Sequence, residues 1–213
     1  MKYIILLLIC LLFSCGEKKD VLLPKSSVTI VKDVQDHSPI YIFFKTEGKD
    51  TIADVNRKNS IISTNWIFNI DKRLPLKLVI PEVMKLQEKK RGDSAHKNEK
   101  AENYYSYADS IGKNLAFLPF TKVYYNMEFA KNSSELYLKK NGIIQYTTKK
   151  DYYFPKNELP VFLDSLMKYS KFKIVFSFEK NMSYGEYIQY KIFLEKLNLK
   201  QKQFINKEEE FVF

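Results

Sequence analysis

Cysteine and histidine are scarce in this chain of 213 residues, which has two of each. Cys10 and Cys15 both lie near the amino terminus, whereas His37 and His96 are far apart in the sequence. A disulfide framework or a zinc site needs several such residues at short, characteristic spacings. The sequence therefore predicts no disulfide and no metal site, and both histidines are interpreted as solvated loop residues.

Catalytic and cofactor-binding signatures are also missing. The chain has only six glycines and contains no phosphate-binding loop, dinucleotide fingerprint, metalloprotease motif or nucleophile elbow. Ser94 and His96 are too close together to belong to a catalytic triad. Carboxylates from distant positions can still act as a pair, as in glycosidases, but Asp71 and Glu179 each precede a lysine, which favours a salt-bridged strand end. We therefore predict no catalytic residue and no cofactor.

An uninterrupted apolar run of more than ten residues occurs at the amino terminus. After Met1 and Lys2, residues 3–13 are apolar without a break. Eleven residues span about 16 Å as a helix, and the bilayer core is about 30 Å thick. The run therefore indicates the hydrophobic region of a signal peptide rather than a membrane span.

The end of this run resembles the lipobox of bacterial lipoproteins, because it reads Leu12-Phe13-Ser14-Cys15. An aliphatic residue lies three positions before the cysteine and a small residue lies directly before it, although Phe13 is larger than usual. The resemblance implies that residues 1–14 are a removable signal peptide and that Cys15 is acylated, with palmitate among its chains, and anchors the protein in a lipid bilayer. The alternative is an ordinary secretory signal followed by an incidental cysteine.

The chain is basic, with a formal net charge of +10, or +9 once Lys2 has left with the signal. Nucleic acid is not an expected partner, because the signal directs the protein out of the cytoplasm. Two interpretations of the charge remain open: the codon bias of an AT-rich genome, or a basic face for anionic lipid or cell-wall polymer.

Gly16, which follows the cysteine, favours the outer membrane of a Gram-negative bacterium over the inner membrane. Whether the protein faces the periplasm or the outside stays open.

Apolar periodicity divides the rest of the chain into a tether and two units. Residues 15–27 are predicted to form the lipidated amino terminus and its tether, and residues 28–130 are predicted to form a first α+β unit. Its strands are predicted at 28–31, 39–44, 51–55, 61–70, 115–120 and 123–129. Its helices are predicted to start at Pro81 and to cover residues 101–111.

Residues 131–213 are predicted to form a second unit of order β-β-α-β-α-β. Its signals are a hairpin at Asn141-Gly142, a helix capped by Asn157, a strand at 172–178, a capping box at Ser183–Glu186 and a strand at 201–213.

Parts of this second unit are similar to the periplasmic domain of the ExbD/TolR biopolymer-transport family. The similarity lies in the Asn141-Gly142 hairpin, the helix at Glu158-Leu159 and residues 173–187, which read KIVFSFEKNMSYGEY. It implies a small α+β binding module that associates with itself, with protein partners or with the cell wall. The family has an acidic membrane helix where this chain has a lipobox, so its proton-coupled role is not transferred.

Two segments of the chain also match each other at an offset of 108 residues, namely 68–80 and 176–188. Each contains a strand, an acid–lysine pair and the start of a helix. Tandem duplication and chance similarity both explain the match. The predicted fold class is α+β, with small mixed sheets and helices packed on one face, in two tandem units of which the first is degenerate.

Mid-chain tyrosines supply the candidate binding surface. If exposed, they would suit a glycan or a protein, whereas the alternative is that half of them belong to the core. They are Tyr104, Tyr105, Tyr107, Tyr124 and Tyr125. The predicted function is a non-enzymatic binding or assembly module on an envelope lipoprotein, with an envelope protein or the cell wall as partner. The alternatives are an envelope hydrolase with dispersed carboxylates and a purely structural protein.

Overall fold

A computed structural model describes residues 20–92, 98–128, 134–147, 150–169, 174–197 and 205–213. Cys15, Ser94 and His96 lie outside these residues, as does the signal segment. The described chain is mixed α+β, with three helices and two mixed sheets of six strands each, which confirms the predicted fold class.

The first sheet has three parallel strands at its centre and an antiparallel strand at each side. Its strands are β1 (Lys25–Ser26), β2 (His37–Glu47), β3 (Asp50–Asn56), β4 (Asn65–Ile70), β5 (Asn103–Asp109) and β6 (Asn114–Pro119). The order is β3-β2-β4-β5-β6, and the short β1 pairs in parallel with the far end of β5. Helix α1 (Leu76–Arg91) connects β4 with β5.

The second sheet has the order β10-β9-β8-β11-β12-β7. Its strands are β7 (Tyr124–Asn126), β8 (Ser134–Leu138), β9 (Ile143–Thr147), β10 (Asp151–Pro155), β11 (Ile174–Phe178) and β12 (Ile205–Val212), and its helices are α2 (Leu159–Tyr169) and α3 (Tyr184–Lys196). The strands β8, β11, β12 and β7 run parallel, and β9 is antiparallel to both β8 and β10. Strand β7 precedes residue 131 in the chain, yet it pairs in this sheet.

One hydrophobic core joins the two sheets. Its buried residues come from β2, β4 and β5 of the first sheet, from β8, β11 and β12 of the second, and from all three helices. At its centre the rings of Tyr105 and Phe120 are stacked with their centroids 3.7 Å apart, and Phe68 meets both rings edge-on. The sheets therefore share their apolar interior.

Several sequence signals act in the structure as expected. Asn141 and Gly142 adopt φ angles of 67° and 76°, the positive values that the tight turn between β8 and β9 requires. Ser183 and Glu186 form a reciprocal capping box at the start of α3. Asn157, the predicted cap of α2, lies instead within a short 3-10 turn, Lys156–Glu158, directly before that helix.

The helix predicted over residues 101–111 is wrong, because this segment forms β5. Five of the seven residues of β5 are buried, on both faces of the strand, and β5 pairs with β4 on one side and with β6 on the other. Ile111, which completed the helical stripe, is 74% exposed. Apolar residues on both faces of a central strand imitate a helical period.

The predicted start of α1 at Pro81 is also wrong. The helix begins at Leu76 and carries Pro81 in its interior. The N–H groups of Leu76 and Lys77 donate to carbonyls of the second unit at 2.9 Å, which fixes the first turn well before the proline. Contacts outside the segment therefore set this boundary.

Smaller differences concern short strands. Residues 28–31 form no strand, and Val31 makes only an isolated bridge to Phe117. The described part of the predicted strand at 123–129 shortens to β7, and β10 was not predicted.

The two matching segments meet through reciprocal backbone hydrogen bonds. Four N–H groups donate across the contact at 2.7–3.0 Å: Leu76 to Met182, Tyr184 to Leu74, Lys77 to Lys180 and Gly185 to Lys72. Each bond has its counterpart at an offset of 108 residues, and Pro75 bridges Ser183 between them. The backbone pairing therefore has an approximate two-fold symmetry, and strand β4 and strand β11 both end six residues before their helices begin.

Candidate anion-binding groove

A groove of about 350 Å³ lies between residues 25–28 and helix α3. Three of its lining residues are cationic, three are apolar and three are neutral and polar. They are Lys25, Lys156 and Lys196; Val28, Ile192 and Phe193; and Ser26, Ser27 and Gln189. None of the described residues that line this groove is a carboxylate, so its character is that of an anion site with an apolar part.

The first wall of the groove is fixed to the first sheet. The N–H of Ala108 donates to the carbonyl of Pro24 at 2.8 Å, and the N–H of Ser110 donates to the carbonyl of Ser26 at the same distance. The buried hydroxyl of Tyr107 donates to the carbonyl of Val28 at 2.9 Å. These bonds hold residues 24–28 in place although the segment forms only two residues of strand.

The second wall is one face of α3. Gln189, Phe193 and Lys196 follow one another at spacings of four and three residues, which places them on the same side of a helix. Gln189 and Lys196 are exposed and Phe193 is half-buried, while the opposite side of α3 enters the core. The capping box at Ser183 fixes the start of this helix and therefore the position of the wall.

Lys156 places a cation beside two aromatic rings at the groove. Its ammonium nitrogen lies 5.0 Å from the ring centroid of Tyr190 and 5.2 Å from that of Phe193. Such contacts between a cation and ring faces are attractive, and partial burial lowers the pKa of this lysine. Among the described residues, no carboxylate pairs with Lys25, Lys156 or Lys196. An anion in the groove would therefore meet ammonium groups that are not already neutralised.

The structure does not bring the five candidate tyrosines to one surface. Tyr105, Tyr107 and Tyr125 are buried. Tyr124 is 54% exposed and lies beneath the guanidinium of Arg91, while Tyr104 is half-buried and its hydroxyl donates to Glu102. The predicted tyrosine surface is therefore wrong for three of its five members, because β5 and β7 turn those side chains into the core.

Asp71 and Glu179 serve structural roles. Asp71 is fully buried and accepts two hydrogen bonds of 2.8 Å from the guanidinium of Arg73, so its partner is Arg73 rather than the adjacent Lys72. Burial alone would raise the pKa of Asp71, but the hydrogen bonds from Arg73 outweigh burial and lower it. Glu179 accepts a bond of 3.0 Å from the N–H of Lys140.

A buried polar chain crosses the core behind α3, and sequence reasoning missed it. The hydroxyls of Tyr105 and Tyr125 are 2.7 Å apart, and that of Tyr125 is 3.1 Å from the hydroxyl of Tyr187. Tyr187 donates to one oxygen of Glu210 at 2.7 Å, and the ammonium of Lys191 donates to the other. The three tyrosine hydroxyls and both oxygens of Glu210 therefore have hydrogen-bond partners, and this network of side chains supports the fold.

The remaining candidates have ordinary surroundings. His37 is exposed at the start of β2, and its Nδ1 atom lies 2.8 Å from the carbonyl oxygen of Val34. Within the described ranges, no cluster of three or more histidine, cysteine or acidic side chains could hold a metal ion. The groove itself was not predicted. The sequence signal that was present is the spacing of Gln189, Phe193 and Lys196 on one side of α3.

Comparisons with known proteins add no relative. No protein-family model matches the chain, and no curated protein or solved structure matches it. The similarity to the ExbD/TolR periplasmic domain therefore stays a prediction. Of the described helices, none has both the length and the apolar character needed to span a bilayer.

Proposed function

We propose that this protein is a lipid-anchored protein of the bacterial cell envelope that acts as a non-enzymatic binding module, with the basic groove as its binding site. The observation that carries the proposal is the unneutralised set of three lysines beside apolar side chains. The proposed location is the outer membrane, and the anchor is the acylated Cys15.

The start of the folded chain supports an anchored arrangement. The N–H of Leu22 donates to the Asp71 carboxylate at 3.1 Å, and the carbonyl of Leu22 accepts from Lys72 at 2.8 Å. Leu22 lies seven positions after Cys15, and an extended chain of that length reaches about 25 Å at most. An acyl group on Cys15 would therefore keep the fold next to the bilayer surface.

The hydrolase alternative has no comparable support. In the described part of the chain the buried carboxylates each have strong partners. Asp71 is paired with Arg73, and Glu210 with Lys191. Asp109 accepts from the hydroxyl of Thr29 at 2.7 Å, and Glu135 accepts from the hydroxyls of Tyr137 and Ser177. An acid–base pair needs at least one carboxyl group that faces substrate, and the described residues that line the groove include none.

Metabolic labelling with palmitate tests the anchor. The full-length protein should take up label and fractionate with membranes, and Cys15→Ala should lose both, because the thiol is the predicted acceptor. Cys10→Ala is the matched control, since Cys10 lies within the predicted signal. Label that persists in the Cys15 variant would contradict the proposed anchor.

Crosslinking in cells tests the binding role. The wild-type protein should capture the same envelope component repeatedly, and a globular domain of unrelated fold carried on the same lipid anchor should not capture it. Equal recovery from both proteins would contradict a specific binding module.

A further inference from the structure

We propose that the basic groove binds the phosphate of an anionic lipid headgroup in the membrane that carries the anchor. This inference deepens the proposed function and rests on it, since the anchor is what brings the groove to a bilayer. Three properties of the groove point to this ligand: its position, its charge and its apolar lining.

The position of the groove relative to the anchor limits its reach. Lys25, the first lining residue, follows Cys15 by ten residues, and an extended segment of that length spans about 36 Å at most. Residues 24–28 are hydrogen-bonded to β5 and to the turn that follows it, so this wall cannot move away from the sheet. The groove therefore lies within about 36 Å of the anchored cysteine, a distance from which it can reach the headgroups.

The charge of the groove selects an anion. Lys25 and Lys196 are exposed, and Lys156 is half-buried against two aromatic rings. Ammonium groups are compact point charges that bind phosphate well. The hydroxyls of Ser26 and Ser27 add hydrogen-bond donors on the facing wall.

The apolar lining distinguishes a headgroup from a bare anion. Val28, Ile192 and Phe193 are lining residues alongside the lysines, and inorganic phosphate would leave these side chains without a partner. A lipid offers a phosphate together with glycerol and the start of its acyl chains. The volume of about 350 Å³ lies at the small end of the range for small-molecule sites, roughly 300–1,000 Å³. Such a volume suits one headgroup better than a stretch of cell-wall polymer.

Vesicle co-sedimentation tests the proposal with residues 16–213, which carry the whole described fold but neither the signal nor the anchor. The vesicles contain phosphatidylcholine alone or phosphatidylcholine mixed with phosphatidylglycerol. We expect binding only to the anionic vesicles. The double variant Lys156→Gln, Lys196→Gln should weaken that binding by about tenfold or more.

The matched control is the double variant Lys49→Gln, Lys77→Gln, which removes the same charge at two exposed positions away from the groove. It should bind within about twofold of wild type. An equal loss in both double variants would mean that binding follows net charge alone, and this result would overturn the groove assignment. Far-UV circular dichroism and the fluorescence of buried Trp66 check that each variant is folded.

A second arm separates the two sources of phosphate. Inorganic phosphate and glycerol phosphate are added as competitors of the anionic vesicles and are also titrated alone. Weak or absent competition, together with vesicle binding that depends on the groove, supports the headgroup. Tight binding of inorganic phosphate through the groove lysines, without vesicle binding that depends on them, would overturn it.

The readouts also separate failure of this inference from failure of the proposed function. Palmitate labelling that depends on Cys15 combined with vesicle binding that ignores the groove would overturn the headgroup assignment alone. Vesicle binding that depends on the groove, without labelling at Cys15, would instead contradict the proposed anchor and support the proposed class of ligand.

Discussion

The carboxylate of Glu210 is the buried charge on which the polar chain depends. It is 3% exposed and accepts hydrogen bonds from Tyr187 and Lys191 on neighbouring turns of α3. A buried ion pair contributes little net stability when complete, but removal of one partner leaves an uncompensated group. Single substitutions in this hydrogen-bonded network should therefore lower the free energy of unfolding by more than the lost contact area alone would suggest.

Two tyrosines one helical turn apart make a matched test of this dependence. Tyr187→Phe should lower the free energy of unfolding by about 2 kcal/mol, because Glu210 loses a hydrogen-bond donor while it stays buried. Tyr184→Phe should leave stability unchanged or raise it slightly, because the buried hydroxyl of Tyr184 has no hydrogen-bond partner among the described residues. Urea denaturation measures both variants, and equal losses would contradict the assigned role of the chain.

Buried tyrosines should also make the fold sensitive to alkali. Burial raises the pKa of Tyr105, Tyr125, Tyr184 and Tyr187 well above the ordinary value of 10.0. Above pH 10 the unfolded chain releases these protons and the folded chain retains them, so stability falls as pH rises. Their contribution is fully present below pH 10 and is lost above it.

Urea midpoints between pH 9 and 11.5 measure this loss. Tyr125→Phe should make the midpoint fall less steeply with pH.

Lys90 has the opposite effect at lower pH, because burial lowers its pKa to about 8 from 10.5. Between about pH 8 and 10.5 the folded chain has released the proton of Lys90 and the unfolded chain still holds it. The free energy of unfolding therefore rises with pH in this range. A flat profile above pH 10.5 would contradict the burial of the tyrosine hydroxyls.

Among the elements, α1 contains an interior proline that costs it a hydrogen bond. Pro81 has no N–H to donate to the carbonyl of Lys77, and its ring crowds the preceding turn. Contacts outside the helix, namely the bonds from Leu76 and Lys77 to the second unit, compensate for this loss. The first turn of α1 is therefore held by tertiary contacts rather than by helix propensity.

Replacement of this proline should stabilise the fold. Pro81→Ala restores an intrahelical donor and should raise the free energy of unfolding by about 1 kcal/mol or more. Pro160→Ala is the matched control, because Pro160 lies in the first turn of α2, where no intrahelical bond is lost, and stability should change by about 0.5 kcal/mol at most. Thermal denaturation measures both; a loss of stability in Pro81→Ala would show that its ring is needed for packing.

Local signals predict the second unit better than the first. The Asn141-Gly142 turn and the Ser183–Glu186 capping box depend on a few neighbouring residues, and both occur as predicted. Residues 101–111 fail because their apolar spacing fits a helix and a strand buried on both faces equally well, and only the pairing of β5 with β4 and β6 decides.

The groove could not be predicted because its walls come from distant parts of the chain. Lys25, Lys156 and Lys196 meet only after the first wall has bonded to β5 and the capping box has placed α3. Sequence periodicity predicts which side of α3 is exposed, but not what lies opposite. The polar chain from Tyr105 to Glu210 was missed for the same reason, since its members lie on four separate elements.

For the whole molecule, the continuous core and the reciprocal backbone bonds predict a single cooperative unit. Trp66 is the only tryptophan, is fully buried and reports on the first sheet. Its fluorescence and the far-UV circular dichroism of the whole chain should therefore give the same urea midpoint for residues 16–213. Two separated transitions would show that the sheets unfold independently despite their shared core.

The reciprocal bonds around Pro75 and Ser183 have a consequence for assembly. Each segment offers both the N–H groups and the carbonyls that its counterpart requires, so the first segment of one chain fits the second segment of another chain equally well. Domain-swapped dimers would then form without any new contact. Their abundance would depend on protein concentration relative to the effective concentration that the link between the two segments imposes, so the length of that link sets how strictly the protein remains a monomer.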